Sequence, residues 1–188
     1  MPPTPSPKGI ARRQEILDRA IEVFAVKGAE GTSLRAIAEA IGVSHAALLH
    51  YFSSREALLL EVLRENEARR ADRVGDTAIV GRMIDAAGLN ASVPGLVALY
   101  STMLGSSLER GNSLSRDYFS TRFESIRTEL IALIDAGQRS GAIRGGVDPA
   151  DMAALIVAAS DGLQIQWLLD PKVDIARGLE LLERILEP

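Results

Sequence analysis

The stretch TSLRAIAEAIGVSHAALLHYF, residues 32–52, decides the fold of this chain. Apolar residues recur there at three- and four-residue steps on both sides of Gly42, which predicts two short helices joined by a tight turn. Ala38 is small where the two helices approach each other, and Gly42 suits the positive φ that the turn requires. Leu48 is placed to hold the second helix against the first. The spacing therefore predicts a helix-turn-helix motif with an exposed face over residues 44–51.

An exposed second helix of this kind is suited to enter the major groove of DNA, with its N-terminal residues nearest the base edges. Two packed helices with a glycine turn also occur in helical proteins that never contact DNA. On the spacing alone, both interpretations stay open.

Helical periodicity continues on the N-terminal side of the motif. It predicts a first helix over residues 11–27, and Gly28 is placed to end this helix as a left-handed cap. Thr32 is the predicted N-cap of the second helix, Ser44 of the third and Ser54 of a long fourth helix. The motif is therefore expected to be the second and third helices of a longer helical run.

The C-terminal side is also helical in pattern. Residues 75–91 are ambiguous, because two glycines weaken an otherwise helical stretch. Later helices are predicted from capping residues and prolines, with starts at Ser92, at Ser113 or Ser115, at Asp148-Pro149 and at Val173. Since strand-type alternation is hard to find, the fold is predicted to be all-α, with about nine helices.

Composition and charge exclude several classes of protein. The 188 residues are 47% hydrophobic, enough to bury a sizeable core, and the absence of cysteine excludes disulfides, thiolate zinc sites and cysteine nucleophiles. The net charge of −4 argues against a protein that coats nucleic acid, although residues 1–53 are slightly basic and the rest is acidic. The polar, proline-rich start and the expected lack of a membrane-length apolar run predict a cytoplasmic protein without membrane contact.

Catalytic motifs are not found. The sequence has no GxSxG elbow, no phosphate-binding glycine loop and no HExxH motif. Its two histidines, His45 and His50, stand five residues apart and so lie on different faces of a helix, which does not suit a metal pair. Asp148 and Asp151 are explained by helix capping. We therefore expect neither an enzyme nor a cofactor nor a metal site.

The run GTSLRAIAEAIGVSHAALLHYFSSREAL, residues 31–58, with EVFAVKG, residues 22–28, before it, resembles the TetR family of regulators. Beyond Leu60 the resemblance is one of architecture. It implies a helix-turn-helix DNA-binding domain, residues 1–53, followed by a helical domain for effector binding and dimerisation, residues 54–188. The predicted function is that of a repressor which a small molecule releases from a palindromic operator. The alternative is a helical ligand-binding or scaffold protein that does not bind DNA.

The resemblance also implies roles for single residues. Contacts to DNA phosphates fall to four residues near the ends of the two helices, namely Thr32, Ser33, Tyr51 and Arg55. Contacts to bases or the groove wall fall to residues of the third helix, namely Ser44, His45, Ala46, Ala47 and His50. Arg35 belongs to the same predicted surface, with a plain surface charge as the alternative. Ala47 and Leu49 depart from the hydroxyl and aromatic residues that are common in the family, so individual base contacts do not carry over.

A small-molecule cavity and a dimer are implied in the same way. The predicted cavity lining combines apolar and aromatic residues with a few polar ones, namely Tyr100, Met103, Leu104, Phe119, Arg122, Phe123, Gln166 and Trp167, with Gln164 as a further polar candidate. An ordinary core is the alternative for each of them. The last two helices, residues 149–186, are rich in small residues and leucine, and the resemblance implies that they pair with those of a second copy. The two DNA-binding domains of the dimer, about 34 Å apart, would then bind the two halves of a palindromic operator. The alternative is that they only close the core of one chain.

Overall fold

The computed structural model of the chain describes residues 7–31, 33–71 and 79–188. Within these ranges it contains nine helices and no strand, which confirms the all-α prediction. The helices are α1 (Pro7–Gly31), α2 (Leu34–Ile41), α3 (His45–Tyr51), α4 (Arg55–Ala71), α5 (Ile79–Ser92), α6 (Leu96–Ser107), α7 (Ser113–Ser140), α8 (Pro149–Leu169) and α9 (Ile175–Leu186).

The chain forms two compact units. The first is Met1–Arg69 with Pro94–Arg116, and the second is Arg70–Val93 with Asp117–Pro188. The first unit therefore contains α1 to α3, nearly all of α4, and α6. This division by packing differs from the predicted boundary after residue 53, which separates DNA binding from effector binding and stays a prediction.

Helix α1 begins earlier than expected, at Pro7 rather than at residue 11. Pro7 fits this place because proline lacks an N–H group that the first turn of a helix leaves unpaired. Gly28 does interrupt the helix, with φ 66° and ψ −169°, but helical residues follow it as far as Gly31. The positive φ at Gly28 was predicted, whereas the left-handed ψ was not found.

Caps set the starts of the next helices. Ser33, not Thr32, caps α2, because its Oγ accepts a hydrogen bond from the Ala36 N–H at 3.1 Å. Thr32 lies outside the described residues. Both residues carry the same capping hydroxyl, so local preference does not distinguish them. Ser44 and Ser54 cap α3 and α4 as predicted, each accepting from a backbone N–H at 3.0 Å.

The segment between α4 and α6 resolves differently from the prediction. Of the ambiguous stretch, the described residues from Ile79 onwards form a helix, α5, and Ser92 ends it. The Ser92 Oγ donates to the Leu89 carbonyl at 2.7 Å instead of starting the next helix. Helix α6 begins at Leu96, after Gly95 with φ 79°. A turn that needs this positive φ at Gly95 outweighs the local helix-start signal of Pro94.

The core of the second unit is built from four helices. Its buried residues include Ala87 of α5, Ile134 of α7, Ile156 of α8 and Leu179 of α9. Helix α8 starts as predicted, since Asp148 accepts hydrogen bonds from the first-turn N–H groups at 2.7 and 3.3 Å. Helix α9 starts two positions after the predicted Val173, because Asp174 provides its cap.

The expectation about membrane-length apolar segments is wrong for α8. Over 18 residues this helix has a mean hydropathy of 1.4, which is sufficient to cross a membrane by length and composition, and 33% of that stretch is buried inside the chain. Asp161 interrupts the apolar run without lowering its average enough. The incomplete burial of α8 is more informative than its hydropathy, because apolar side chains that stay exposed in the single chain favour contact with a partner.

Candidate nucleic-acid interface

The turn between α2 and α3 has the geometry that the motif requires. Gly42 is left-handed, with φ 74° and ψ 34°, and its N–H donates to the Glu39 carbonyl at 3.2 Å. The Val43 N–H donates to the Ala38 carbonyl at 2.9 Å. These two bonds pair carbonyls that the end of α2 leaves free, so the turn is fixed by backbone contacts.

Packing of α3 on α2 leaves most of the shorter helix exposed. Leu48 is fully buried, as is Ile37, and Ala38 is nearly so. All the other residues of the stretch 44–50 are exposed, namely Ser44, His45, Ala46, Ala47, Leu49 and His50. The residues that the sequence predicted to face bases are therefore accessible along one continuous helical surface.

The end of α3 brings two aromatic rings together. His50 and Tyr51 lie 5.4 Å apart between ring centroids, in an edge-to-face arrangement. Tyr51 is half-buried, whereas His50 is exposed. The tyrosine thus combines a partly packed ring with a polar end suited to a surface contact.

Among residues 7–31, 33–71 and 79–188, no group of three or more histidine, aspartate or glutamate residues could hold a metal ion.

Three further residues of the predicted DNA-binding surface lie at its edges. Ser33 and Arg35 are exposed at the start of α2. Arg55 is half-buried in the first turn of α4, and this burial lowers the pKa of its guanidinium group. Arginine nevertheless stays charged in proteins, so Arg55 is a fixed cation next to the exit of α3.

A contact that the sequence did not predict holds the end of α3 against α1 and α4. The Arg13 guanidinium carbon lies 5.2 Å from the centroid of the Phe52 ring, and Arg13 also pairs with Glu61 of α4. Glu61 accepts a second hydrogen bond from Arg64. Burial of Glu61 opposes its ionisation, but the hydrogen bonds from Arg64 and Arg13 outweigh this and lower its pKa. Arg13 and Glu61 are 48 residues apart, so the local sequence pattern does not predict that they pair.

The predicted effector residues divide between the two units. In the first unit, Met103 of α6 is buried, and its neighbours Tyr100 and Leu104 are half-buried. In the second unit, α7 and α8 carry the remaining five. Of these, Phe119 is buried, Gln166 is exposed, and the others are half-buried, namely Arg122, Phe123 and Trp167.

Within the second unit, the polar group inside α8 is Gln164 rather than Gln166. Gln164 is 6% exposed, accepts from the Asn90 side chain at 3.2 Å and donates to the Ser160 carbonyl at 3.2 Å. Phe119 and Phe123 lie 6.3 Å apart between ring centroids. The exposed position of Gln166 argues against its predicted place in a cavity lining. Gln164 and Gln166 are two positions apart, so their side chains point to different faces of the helix.

Helix α8 also exposes an apolar stripe. It consists of residues at alternating steps of three and four, namely the exposed Leu155, Ala158, Ile165 and Leu169 and the half-buried Gly162. Leu155 is 51% exposed, Ile165 is 42% exposed and Leu169 is 84% exposed. Helix α9 exposes Leu181 and Ile185 one turn apart. This spacing is that of a helix seam which packs against another helix.

A buried-leucine contact between two short helices, a left-handed glycine turn and an exposed third helix define the class of helix-turn-helix proteins. Residues 16–62 match the family described as bacterial regulatory proteins, tetR family, and residues 112–188 match the BetI-type transcriptional repressor C-terminal family. The chain belongs to the TetR family.

Relatives agree with this assignment. The transcriptional repressor AcnR of Corynebacterium diphtheriae is 43% identical over 74 residues, which is 39% of this chain and 39% of that protein. The repressor KstR2 of Rhodococcus jostii is 25% identical over 163 residues, which is 83% of this chain and 79% of that protein. A crystal structure of a regulator from Saccharomonospora viridis, in complex with choline, has a TM-score of 0.75 at 24% identity, over 94% of this chain and 95% of that one. That last likeness is one of fold.

Proposed function

We propose that this chain is a dimeric, cytoplasmic repressor that binds a palindromic operator through α3 and leaves it when a small-molecule effector binds. The observation that carries the proposal is the exposed α3 surface held on α2 by Leu48. Repression is favoured because AcnR and KstR2 are both named transcriptional repressors.

DNA contacts in this proposal fall into two sets. Ser44, His45, Ala46, Ala47 and His50 face base edges or the groove wall, where alanine meets thymine methyl groups and imidazole donates to purine acceptors. Thr32, Ser33, Arg35, Tyr51 and Arg55 hold phosphates, which positions the helix without specifying sequence. The hydroxyl groups of Ser33 and Ser44 accept cap hydrogen bonds, and each keeps its own proton to donate.

Dimerisation is supported by the exposed stripe of α8 and the exposed leucine and isoleucine of α9. Burying these side chains against a second copy removes apolar surface from water, at about 25 cal/mol per Å². A single recognition helix reads few bases, whereas two related heads about 34 Å apart read both halves of a palindrome.

An effector in this proposal acts through its different affinity for the DNA-binding and released states. Aromatic and polar residues in both units are the candidates for contact, with Gln164 replacing Gln166 as the buried amide.

A selection experiment tests DNA binding directly. Purified full-length protein, unfolded and refolded to remove any co-purified ligand, is mixed with a randomised duplex library at near-physiological salt, and bound DNA is sequenced over several rounds. We expect enrichment of a palindrome whose half-sites lie about one helical turn apart. The variant Ala46→Glu places a carboxylate on the α3 surface and should enrich no sequence, while the same change at exposed Ala132 of α7 should leave selection intact.

Weak binding that salt abolishes, without enrichment by the refolded protein, would contradict the proposal. It would instead favour a helical ligand-binding or scaffold protein that retains the packing of the motif without its DNA role.

A further inference from the structure

The corner between α6 and α7 is tied by an asparagine. Asn112 directly precedes α7, a position where asparagine commonly caps its own helix. Here the Asn112 amide nitrogen donates backwards, to the Ser106 carbonyl at 2.9 Å and to the Ser106 hydroxyl at 2.8 Å. The side chain thus fastens the start of α7 to the last turn of α6.

The cap of α7 comes from a different helix. Glu56, in the first turn of α4, accepts hydrogen bonds through one carboxylate oxygen from the Ser115 N–H at 3.0 Å and from the Ser115 hydroxyl at 2.5 Å. Ser115 is completely buried. The N–H groups of a first helical turn have no partner within their own helix, and a negative charge there is favoured by the helix dipole. Glu56 therefore satisfies buried donors of α7 that have no partner within α7.

Glu56 also stands close to the DNA-binding surface in the chain. It follows Arg55, the fixed cation of the proposed interface, and α4 begins immediately after the exit of α3 at Phe52. Phe52 is buried, and Ser54 caps α4. The connection from α3 to α4 is short and packed, so the position of the α4 start sets the position of the α3 end.

We propose that Glu56 is a positioning residue that holds the start of α4, and with it the recognition helix α3, at the α6–α7 corner through Ser115. This inference rests on the proposed function, because the helix that it positions is the proposed reader of DNA. When this contact is lost, α3 is less well ordered in the free protein. DNA binding must then order it, and the free-energy cost of this ordering reduces affinity.

A double-mutant cycle tests the pair in the full chain. The variants Glu56→Ala and Ser115→Ala and their combination are compared on the duplex that the wild-type protein selects, at a temperature where circular dichroism shows each to be folded. We expect each single variant to bind about tenfold more weakly, or about 1.4 kcal/mol. The double variant should lose no more than Glu56→Ala, because Glu56→Ala already removes both hydrogen bonds from Ser115, including the one from the backbone N–H that Ser115→Ala leaves in place. Glu56→Gln, which keeps the acceptor oxygen, should recover part of the affinity.

Matched controls lie at the same corner. Glu109 and Ser113 are exposed, and no side-chain hydrogen bond of either occurs within residues 79–188. Glu109→Ala and Ser113→Ala should therefore bind DNA as the wild-type protein does. Hydrogen exchange gives a reading that needs no DNA: peptides covering residues 44–54 should exchange faster in Glu56→Ala and Ser115→Ala than in the controls.

Two outcomes would overturn the inference. Affinity within twofold of wild type in both single variants, with unchanged exchange over residues 44–54, would show that Glu56 caps α7 and nothing more. Additive losses in the double variant would show that the two residues act separately. If the wild-type protein selects no duplex, the proposed function fails by itself, and exchange over residues 44–54 still decides whether Glu56 positions α3.

Discussion

Single residues join distant parts of the chain in the first unit. Arg13 of α1 contacts both the Phe52 ring at the end of α3 and the Glu61 carboxylate of α4. Glu61 has a second cation, Arg64, one turn away on its own helix. A partly buried carboxylate between two guanidinium groups gives stronger hydrogen bonds than a neutral pair would, although exposure of the arginines lets solvent screen the charges.

Glu61 should make the stability of the chain depend on pH. Its pKa is lowered in the folded state, so its contribution is complete above the unfolded value and is lost as the pH falls through the folded value. At pH 7, Glu61→Gln should lower the free energy of unfolding by about 1 kcal/mol. Once the pH has fallen below the lowered folded pKa of Glu61, the variant and the wild-type protein should converge, because the wild-type carboxyl is then protonated as well. Urea unfolding followed by circular dichroism across this range measures both effects.

Glu22→Gln is the matched control for this prediction. Glu22 pairs with Arg19 one turn away on α1, and both side chains are exposed. An exposed pair of this kind contributes little to stability, because solvent screens its charges. A pH dependence as large in Glu61→Gln as in the wild-type protein would contradict the assignment to Glu61.

At the scale of helices, the start of α6 lies close to α1 at Gly95. A side chain at this position would place its Cβ 2.6 Å from the Ala25 Cβ and 2.7 Å from the Ala25 Cα. Gly95 also has φ 79°, a conformation that side chains disfavour. The start of α6 can thus lie against α1 because this residue is glycine.

Gly95→Ala should therefore destabilise the first unit by at least about 2 kcal/mol, from backbone strain together with overpacking. Gly105 provides the opposite case on the same helix, since a Cβ there meets nothing within 4 Å. Gly105→Ala should stabilise the chain by about 0.5–1 kcal/mol, because alanine favours a helix interior. Urea unfolding of the two variants measures the difference, and equal effects would show that Gly95 is not a close approach.

At the scale of the whole molecule, the exposed stripe of α8 favours a dimer. Ala158 and Gly162 are the small residues of this stripe, and a Cβ at Gly162 meets nothing within 4 Å in the single chain. Small residues at the centre of a helix seam allow two helices to approach closely. A larger residue at this point therefore distinguishes the fold of one chain from the assembly of two.

Gly162→Leu should abolish the dimer while leaving the folded chain at least as stable, because leucine is the better helix former by roughly 1 kcal/mol. Sedimentation equilibrium should then report a mass near the 20.2 kDa of one chain. Gly88→Leu is the control: Gly88 is exposed on α5, and a Cβ there also meets nothing within 4 Å. A dimer that persists in Gly162→Leu would place the interface elsewhere.

The sequence by itself determined the local features of this protein: an all-α chain, the turn at Gly42, the cap at Ser44, the buried Leu48 and the start of α8 at Asp148. The helical pattern, the turn and the caps depend on interactions within about four residues, which a sequence displays directly, and the burial of Leu48 follows from its apolar position in that pattern. The same residues predicted the TetR family, while the DNA and effector contacts stay predictions.

The tertiary structure alone decided which competing local signals prevail and which distant residues meet. It gave the α2 cap to Ser33, the end of α5 to Ser92, the buried place in α8 to Gln164 and the cap of α7 to Glu56. Glu56 and Ser115 are 59 residues apart. Such contacts form between side chains that only the packing of whole helices brings together. Local helix propensity therefore does not predict them.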